Sequence, residues 1–318
     1  MAGTAKGPIY AAVAANVAIA IAKFIGAAIS GSSAMLSEGI HSFVDSGNGL
    51  LLLYGINRAK KGPDEEHPLG HGKELYFWSL VVAILIFALG GGVSLYEGYH
   101  HIIDHEVPAE GESSNYMVSY IVLALAAVFE GAALIFALRS FNKTRRKRNM
   151  GFWEAIRTSK DPAAFAVIFE DSAALLGLII AFLGLLLTDI TGNPVFDGIA
   201  SVTIGVLLAV IAVLLAAETK ALLIGESALP EVREGINQIV LDDPEVDSMS
   251  PPITLHFGPQ EVLLALDVEF EDDLSSDEIE AAIRRIEKKI REKYPIVGRI
   301  FIEAKAMIKH PGKLEKPD

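Results

Sequence analysis

Apolar residues gather into six long runs, at approximately 8–30, 33–57, 75–101, 116–140, 163–188 and 195–217, separated by short polar or charged segments. Each reaches the ~20 residues an α-helix needs to span bilayer hydrocarbon, so the pattern predicts six membrane helices. Beyond about residue 226 the period changes. "PEVREGINQIVLDD" sets Val232, Ile236, Ile239 and Val240 at helical spacing, and "EVLLALDVEFED" alternates in its second half as a strand does. "SSDEIEAAIRRIEKKIREKYP" carries an apolar stripe of Ile279, Ile283, Ile286 and Ile290 behind Ser276 as N-cap, and "GRIFIEAKA" closes as another strand. The expected fold is an all-α six-helix transmembrane bundle over residues 1–225, followed by a small α/β domain over residues 226–318.

Charge sharpens this picture. The segment "RSFNKTRRKRNMGFWEAIRTSK" and the segment "NRAKKGPDEEHPLGHGK" are basic, whereas "DHEVPAEGESSN" and "TDITGNP" contain no Lys or Arg. By the positive-inside rule the first two face the cytoplasm, which places both termini and the tail there. The basic region around 141–160 reads as a connecting loop that meets acidic lipid. The tail holds 21 Asp and Glu against 12 Lys and Arg, nine of the thirteen net negative charges, so nucleic acid is excluded as a partner. With no cysteine, neither disulfides nor thiolate metal sites are available. The first apolar run flows directly into the second and reads as a membrane helix instead of a cleaved signal.

Ionisable groups inside the apolar runs are the candidate chemistry, because each costs several kcal/mol at roughly mid-bilayer. His41 and Asp45 stand four apart on one helical face, where an imidazole nitrogen and a carboxylate oxygen can converge on one ion. Glu170 and Asp171 form a second acidic cluster in the fifth run. No thiolate narrows the choice of ion, so His and carboxylates suit Zn²⁺, with Mn²⁺, Fe²⁺ or Co²⁺ as alternatives. Neutral imidazole binds metal and the protonated ring does not, which ties ion binding to protons. Glu97, Glu130 and Asp197 also lie in or near the runs and read as structural.

Several motifs, in order along the chain, carry a family resemblance: "SAMLSEGIHSFVDSGN" in the second run, "HPLGHGKELYFWS" opening the third, "EDSAALLG" in the fifth and "DGIASVTIGVLL" in the sixth. Together with the α/β tail they resemble the cation diffusion facilitator family of divalent-metal/proton antiporters. "DPAAFAVIFEDSAALLG" is most similar to the branch containing the ninth mammalian zinc transporter. The resemblance implies a mid-membrane metal site built by His41 and Asp45 from the second span and Asp171 from the fifth. The family's remaining ligand position falls on Val167, which has no donor atom, so Glu38 and Glu170 are the candidates for a fourth ligand, with Asn48 or water behind them. It further implies a second metal site at Asp64, His67 and His71, an interlock between Lys73 and Glu226, and a ferredoxin-like tail that makes a homodimer. Pro68 and Gly70 argue against a helix that would align His67 with His71. The tail has only His256 and His310, so Asp267 and Glu303, near family ligand positions, are not expected to form a strong zinc cluster.

The function implied is proton-coupled efflux of divalent metal by alternating access, in a prokaryotic inner membrane. The alternatives are a non-transporting metal sensor or scaffold, supported by Val167, and an intramembrane metalloenzyme, against which no HExxH or other hydrolytic motif appears.

Overall fold

The computed structural model describes residues 6–103, 116–147, 151–152, 155, 159, 161–305 and 314–315. Two compact units divide the chain: Met1–Asn57 with Leu75–Lys220, and Arg58–Glu74 with Ala221–Asp318.

A helix stands on each of the six apolar runs. They are α1 (Lys6–Ser30), α2 (Ser33–Ala59), α3 (Glu74–Leu85) passing through a π-helical turn at Ile86–Gly91 into α4 (Gly92–Ile103), α5 (Tyr116–Lys147), α6 (Pro162–Thr191) and α7 (Val195–Ile224). Glu74–Ile103, Tyr116–Lys143, Phe165–Thr191 and Val195–Ile224 are long and apolar enough to cross a membrane. Although 27 residues long, α2 falls outside that group because Glu38, His41, Asp45 and a series of serines dilute its apolar character. The described part of α1 adds the apolar stretch Asn16–Ser30. One expectation needs correction: the basic region is not a loop from residue 141, since α5 continues to Lys147. Lys and Arg are good helix formers and neither Gly nor Pro interrupts before Gly151.

Two features tie the helices together. Glycines at Gly98, Gly198 and Gly205 let α4 and α7 cross backbone to backbone. A β-carbon on Gly98 would lie 2.7 Å from the Val202 nitrogen, and one on Gly205 2.9 Å from the Leu95 nitrogen, the small-residue contact by which membrane helices pack without a hydrophobic driving force. The second is Asp197, 1% exposed in the first turn of α7. The sequence marks it as a helix-start residue, and it does cap a helix, but that helix is α2. Its carboxylate accepts from the Ser32 hydroxyl, from the Ser33 amide and hydroxyl, and from the Ala34 amide. It thus satisfies the orphan N–H groups of α2 and places negative charge at the positive end of its dipole.

In the second unit, α8 (Pro230–Leu241) and α9 (Ser276–Lys293) cover one face of a five-stranded mixed sheet. Its strands are β1 (Val246–Met249), β2 (Ile253–Gly258), β3 (Glu261–Phe270), β4 (Val297–Ala304) and β5 (Leu314–Glu315). Ten-residue β3 is the spine: β2 and then β1 pair antiparallel with it, and β4 pairs parallel with it. A parallel pair needs a long crossover, which α9 supplies. Pro251 and Pro252, without amide donors, separate β1 from β2 along the chain, each of which pairs with β3. The α9 N-cap is Ser275, one residue before the expected Ser276, and Glu278 completes a capping box with it. Ile236, Val240, Val246, Leu264, Leu266, Ile286 and Ile290 form the core. At the edge of this core Arg285 donates two hydrogen bonds to fully buried Asp243 and one to Glu245.

Asp197→Ala is expected to destabilise the detergent-solubilised protein by about 2–4 kcal/mol, since several hydrogen bonds to a buried charged acceptor are lost. Thermal unfolding checks this, with Asp197→Asn, which keeps one acceptor oxygen, losing less. Burial alone would push the Asp243 carboxyl up, but the Arg285 hydrogen bonds, the Glu245 amide and the Lys289 charge outweigh it and hold the group below its ordinary value. With the folded value below the unfolded one, this pair stabilises at neutral pH and loses its effect as pH falls below about 4. Hydrogen exchange of α9 amides in the full chain should therefore show Asp243→Asn weakening protection more at pH 7 than at pH 3.

Candidate metal centre

The interior face of α2 is polar. Ser37, Glu38, His41, Ser42, Ser46 and Asn48 are all buried. A helix so composed is stable in an apolar bundle only if these groups find partners. Some do: the Asn48 amide donates to Glu170 Oε1 across to α6 at 3.3 Å, and the Ser37 and Ser201 hydroxyls bond at 2.6 Å. Others do not. His41 Nε2 lies 3.5 Å from Asp45 Oδ2, and both His41 ring nitrogens, Asp45 Oδ1, Asn48 Oδ1 and Asp171 Oδ2 are buried without a hydrogen-bond partner in the protein. Two helices thus bring an imidazole and two carboxylates with unused lone pairs into the same core. Glu130 of α5, 6% exposed, is close enough to interact electrostatically with His41, Asp45 and Asp171.

The candidates for the fourth ligand are placed differently from one another. Glu170 is buried against α2 through Asn48, while Val167 is 40% exposed. Glu38 is engaged by a residue that sequence reasoning missed. Lys23 of α1 is fully buried, with its ammonium 3.0 Å from Glu38 Oε2 and 2.7 Å from the Ser42 hydroxyl. The signal was present: a lone lysine inside "ANVAIAIAKFIGAAIS" stands seven residues, about 10 Å, from the helix end, too deep for its head to reach water by snorkelling.

The second unit contains the group whose ligand atoms sit closest. Asp64, His67 and His71 offer atoms within 4.8 Å of one another, alone in this among the described residues. As expected from Pro68 and Gly70, no helix aligns the two histidines. Instead Asp64 accepts from the His67 amide and its own amide donates to the His67 carbonyl. A turn through Gly70 at φ +87° then returns the chain, so the two rings come within 4.2 Å, centroid to centroid. Asp64 Oδ2 is 2.9 Å from His71 Nε2 and accepts from Lys61 at 2.6 Å. Hydrogen bonds from Lys61, from His71 and from the His67 backbone hold the Asp64 carboxyl well below its usual range.

Lys73 donates to the Leu223 carbonyl at 3.3 Å, at the negative end of α7, and lies 5.1 Å over the Phe257 ring. Glu226 uses its backbone carbonyl to accept from the His256 amide. In the sheet, Asp267 and Glu303 face each other in register, and Lys305 bridges them at 3.0 and 3.2 Å. His256 is buried with Nδ1 against the Gly258 carbonyl. His310 lies outside the described residues.

Residues 9–224 match the cation efflux transmembrane domain. The chain is 33% identical over 269 residues, 84% of its length, to the human mitochondrial proton-coupled zinc antiporter SLC30A9, covering 46% of that protein. It is 31% identical over 76% of its length to metal tolerance protein C4 of Arabidopsis thaliana, covering 52% of it. A shorter match, 28% identical over 37% of the chain and 35% of the relative, is to the magnetosome protein MamM of Paramagnetospirillum magneticum. The chain therefore spans about half the length of these first two curated relatives. With two thirds of its residues matched by one family, and with the ordered motifs sited on the helices that gather its buried donors, the chain belongs to the cation efflux, or cation diffusion facilitator, family.

Proposed function

We propose that this protein moves divalent metal cations, Zn²⁺ foremost, across a membrane in exchange for protons. The observation that carries the reading is the set of buried, unpaired donor atoms on His41, Asp45 and Asp171, contributed by two different helices of one bundle. Such atoms suit an ion that is bound firmly enough to enter and loosely enough to leave. Two relatives are named for proton-coupled zinc antiport and metal tolerance, and this supports the same activity here. His41 supplies the coupling: a neutral ring binds the ion, and a proton arriving from the far side displaces it. Glu170, buried beside the pair, is the proposed fourth ligand. With one imidazole the set leaves Mn²⁺, Fe²⁺ and Co²⁺ as weaker cargoes.

Six spans are proposed, α2 crossing despite its polarity because the bundle covers it, with the four apolar segments as its wall. The domain division at about residue 225, cytoplasmic termini and contact of the basic segment with acidic lipid belong to the same reading. The relatives matched over three quarters or more of the chain are a human mitochondrial antiporter and an Arabidopsis thaliana protein, so the prokaryotic inner-membrane placement draws no support from them. Asp64, His67 and His71 are proposed as a second metal site, supported by their compact geometry, and Lys73 with Glu226 as an interlock. The sensor reading loses weight because Glu170 supplies a carboxylate that Val167 does not.

For the tail we infer a homodimer with a ferredoxin-like fold. Ile253, Ala265 and Phe301 stand side by side in register on adjacent strands, and Ile253 and Phe301 are 67% and 54% exposed. A row of apolar groups on the sheet face away from the helices supports burial against a second copy.

In proteoliposomes Asp45→Ala should abolish Zn²⁺ flux, by about a hundredfold or more for loss of a charged ligand, while the protein elutes as the parent does. The parent should show proton movement opposite to Zn²⁺ in a pH-sensitive dye. Zinc flux at the parent rate in Asp45→Ala would reject the site, and flux without proton movement would reject antiport. Phe301→Asp should shift the full-length protein from dimer to monomer in sedimentation with chelator present, and an unchanged dimer would remove this face as the interface.

A further inference from the structure

Lys23 is a fully buried cation outside the proposed ligand set. A buried lysine has a large desolvation cost, and here it is met by contacts on one side only. The ammonium bonds Glu38 Oε2 and the Ser42 hydroxyl, both on the α2 stripe that continues through His41 and Asp45. The other Glu38 oxygen, Oε1, has no hydrogen-bond partner and presses against α6, where a β-carbon on Gly177 would fall on it at van der Waals overlap. Gly177 is six residues from Asp171, about 9 Å along the helix. Glu38 is therefore drawn toward α1 and the Gly177 end of α6, away from the level of Asp171. Yet it stands three residues before His41 on nearly the same face of α2.

We propose that Lys23 is the specificity-determining residue of the ion site: by holding Glu38 in an ion pair, it withholds a second α2 carboxylate from the ion. The inference rests on the transport-site reading above. With Glu38 held back, the imidazole of His41 weighs more in the donor set, and the site favours Zn²⁺. With Glu38 released, the set becomes richer in hard oxygen donors, and Mn²⁺ gains relative to Zn²⁺. Gly177 has a part in this, since only a residue without a side chain leaves room for the held position. Lys23 touches no transported ion in this arrangement and acts through Glu38, as a positioning residue.

The test is calorimetric titration of Zn²⁺ and of Mn²⁺ into the purified full-length protein carrying His71→Ala throughout, the parent included, so that the second proposed metal site does not contribute. Lys23→Met should raise the affinity for Mn²⁺ relative to Zn²⁺ about tenfold, the scale on which outer-shell partners act. Lys23→Arg, which keeps the ion pair, should retain the parent ratio, and adding Glu38→Gln to Lys23→Met should cancel the gain. A Lys23→Met ratio within about twofold of the parent, or a gain that survives Glu38→Gln, overturns the inference, since outer-shell effects of the expected size would be absent or unrelated to Glu38. If Lys23→Met alone does not fold, Lys23→Met with Glu38→Gln leaves no unpaired charge and is compared with the parent directly. Unchanged Zn²⁺ affinity then supports the inference, and a loss of about tenfold overturns it by making Glu38 a ligand. Asp45→Ala separates the two levels of argument. Metal bound as tightly as in the parent overturns the transport-site reading and this inference with it. Loss of binding there, with an unchanged ratio in Lys23→Met, overturns the inference alone.

Discussion

Charge that cannot reach water has to be neutralised where it lies, and that constraint organises the first unit. Helix α2 carries Glu38, His41, Asp45 and Asn48 on its buried side. Such a helix has no stable place facing hydrocarbon. Its polar groups are answered by residues from separate helices: Lys23 from α1, Ser201 and Asp197 from α7, and Glu170 from α6. Each answer positions α2 in a different direction. Asp197 fixes the start of the helix, Lys23 and Ser201 its first third, and Asn48 with Glu170 its middle. What remains unanswered includes the ring of His41 with oxygens on Asp45, Asn48 and Asp171, and the proposed ion site is built on that deficit.

The same logic explains why the walls are so plain. Helices α4 and α7 approach through glycine with no polar group between their backbones at Gly98 and Gly205, which costs nothing in desolvation and brings dispersion contacts close. The bundle thus sets largely apolar helices around one strongly polar helix. In the proposed transport cycle, a movement that exposes the His41 level first to one side and then to the other would re-pair a few groups around α2, whereas opening a pore would hydrate the whole bundle.

The second unit is held by more ordinary means. Apolar residues of α8, α9 and the sheet make one core, and buried Asp243 is paired by Arg285. Here the loop Arg58–Glu74, distant in sequence, joins the strands: a β-carbon on Gly72 would overlap the Phe257 carbonyl, and Lys73 lies over the Phe257 ring. That places Asp64, His67 and His71 within this unit, not in the helical one, so the two candidate metal sites belong to separately folded parts of the chain.

Hydrophobic periodicity by itself determined the helices of the first unit to within a few residues at most ends, because a span of apolar residues in lipid has few alternatives to a helix. It also gave α8, β3, α9 and β4, where side-chain alternation and a capping serine are local signals. His41, Asp45 and Asp171 were legible for the same reason, since a charge inside an apolar run is conspicuous without any coordinates. Strands β1 and β2 were not, being short and broken by Pro251 and Pro252, and neither was the helical continuation of α5 into its basic end. Only the tertiary structure decided which buried charges neutralise one another. It paired Glu38 with Lys23 fifteen residues away and Asp197 with the start of α2, and it folded His67 against His71 by a turn instead of a helix. These depend on the facing of helices and on turn geometry, which spacing along one chain does not encode.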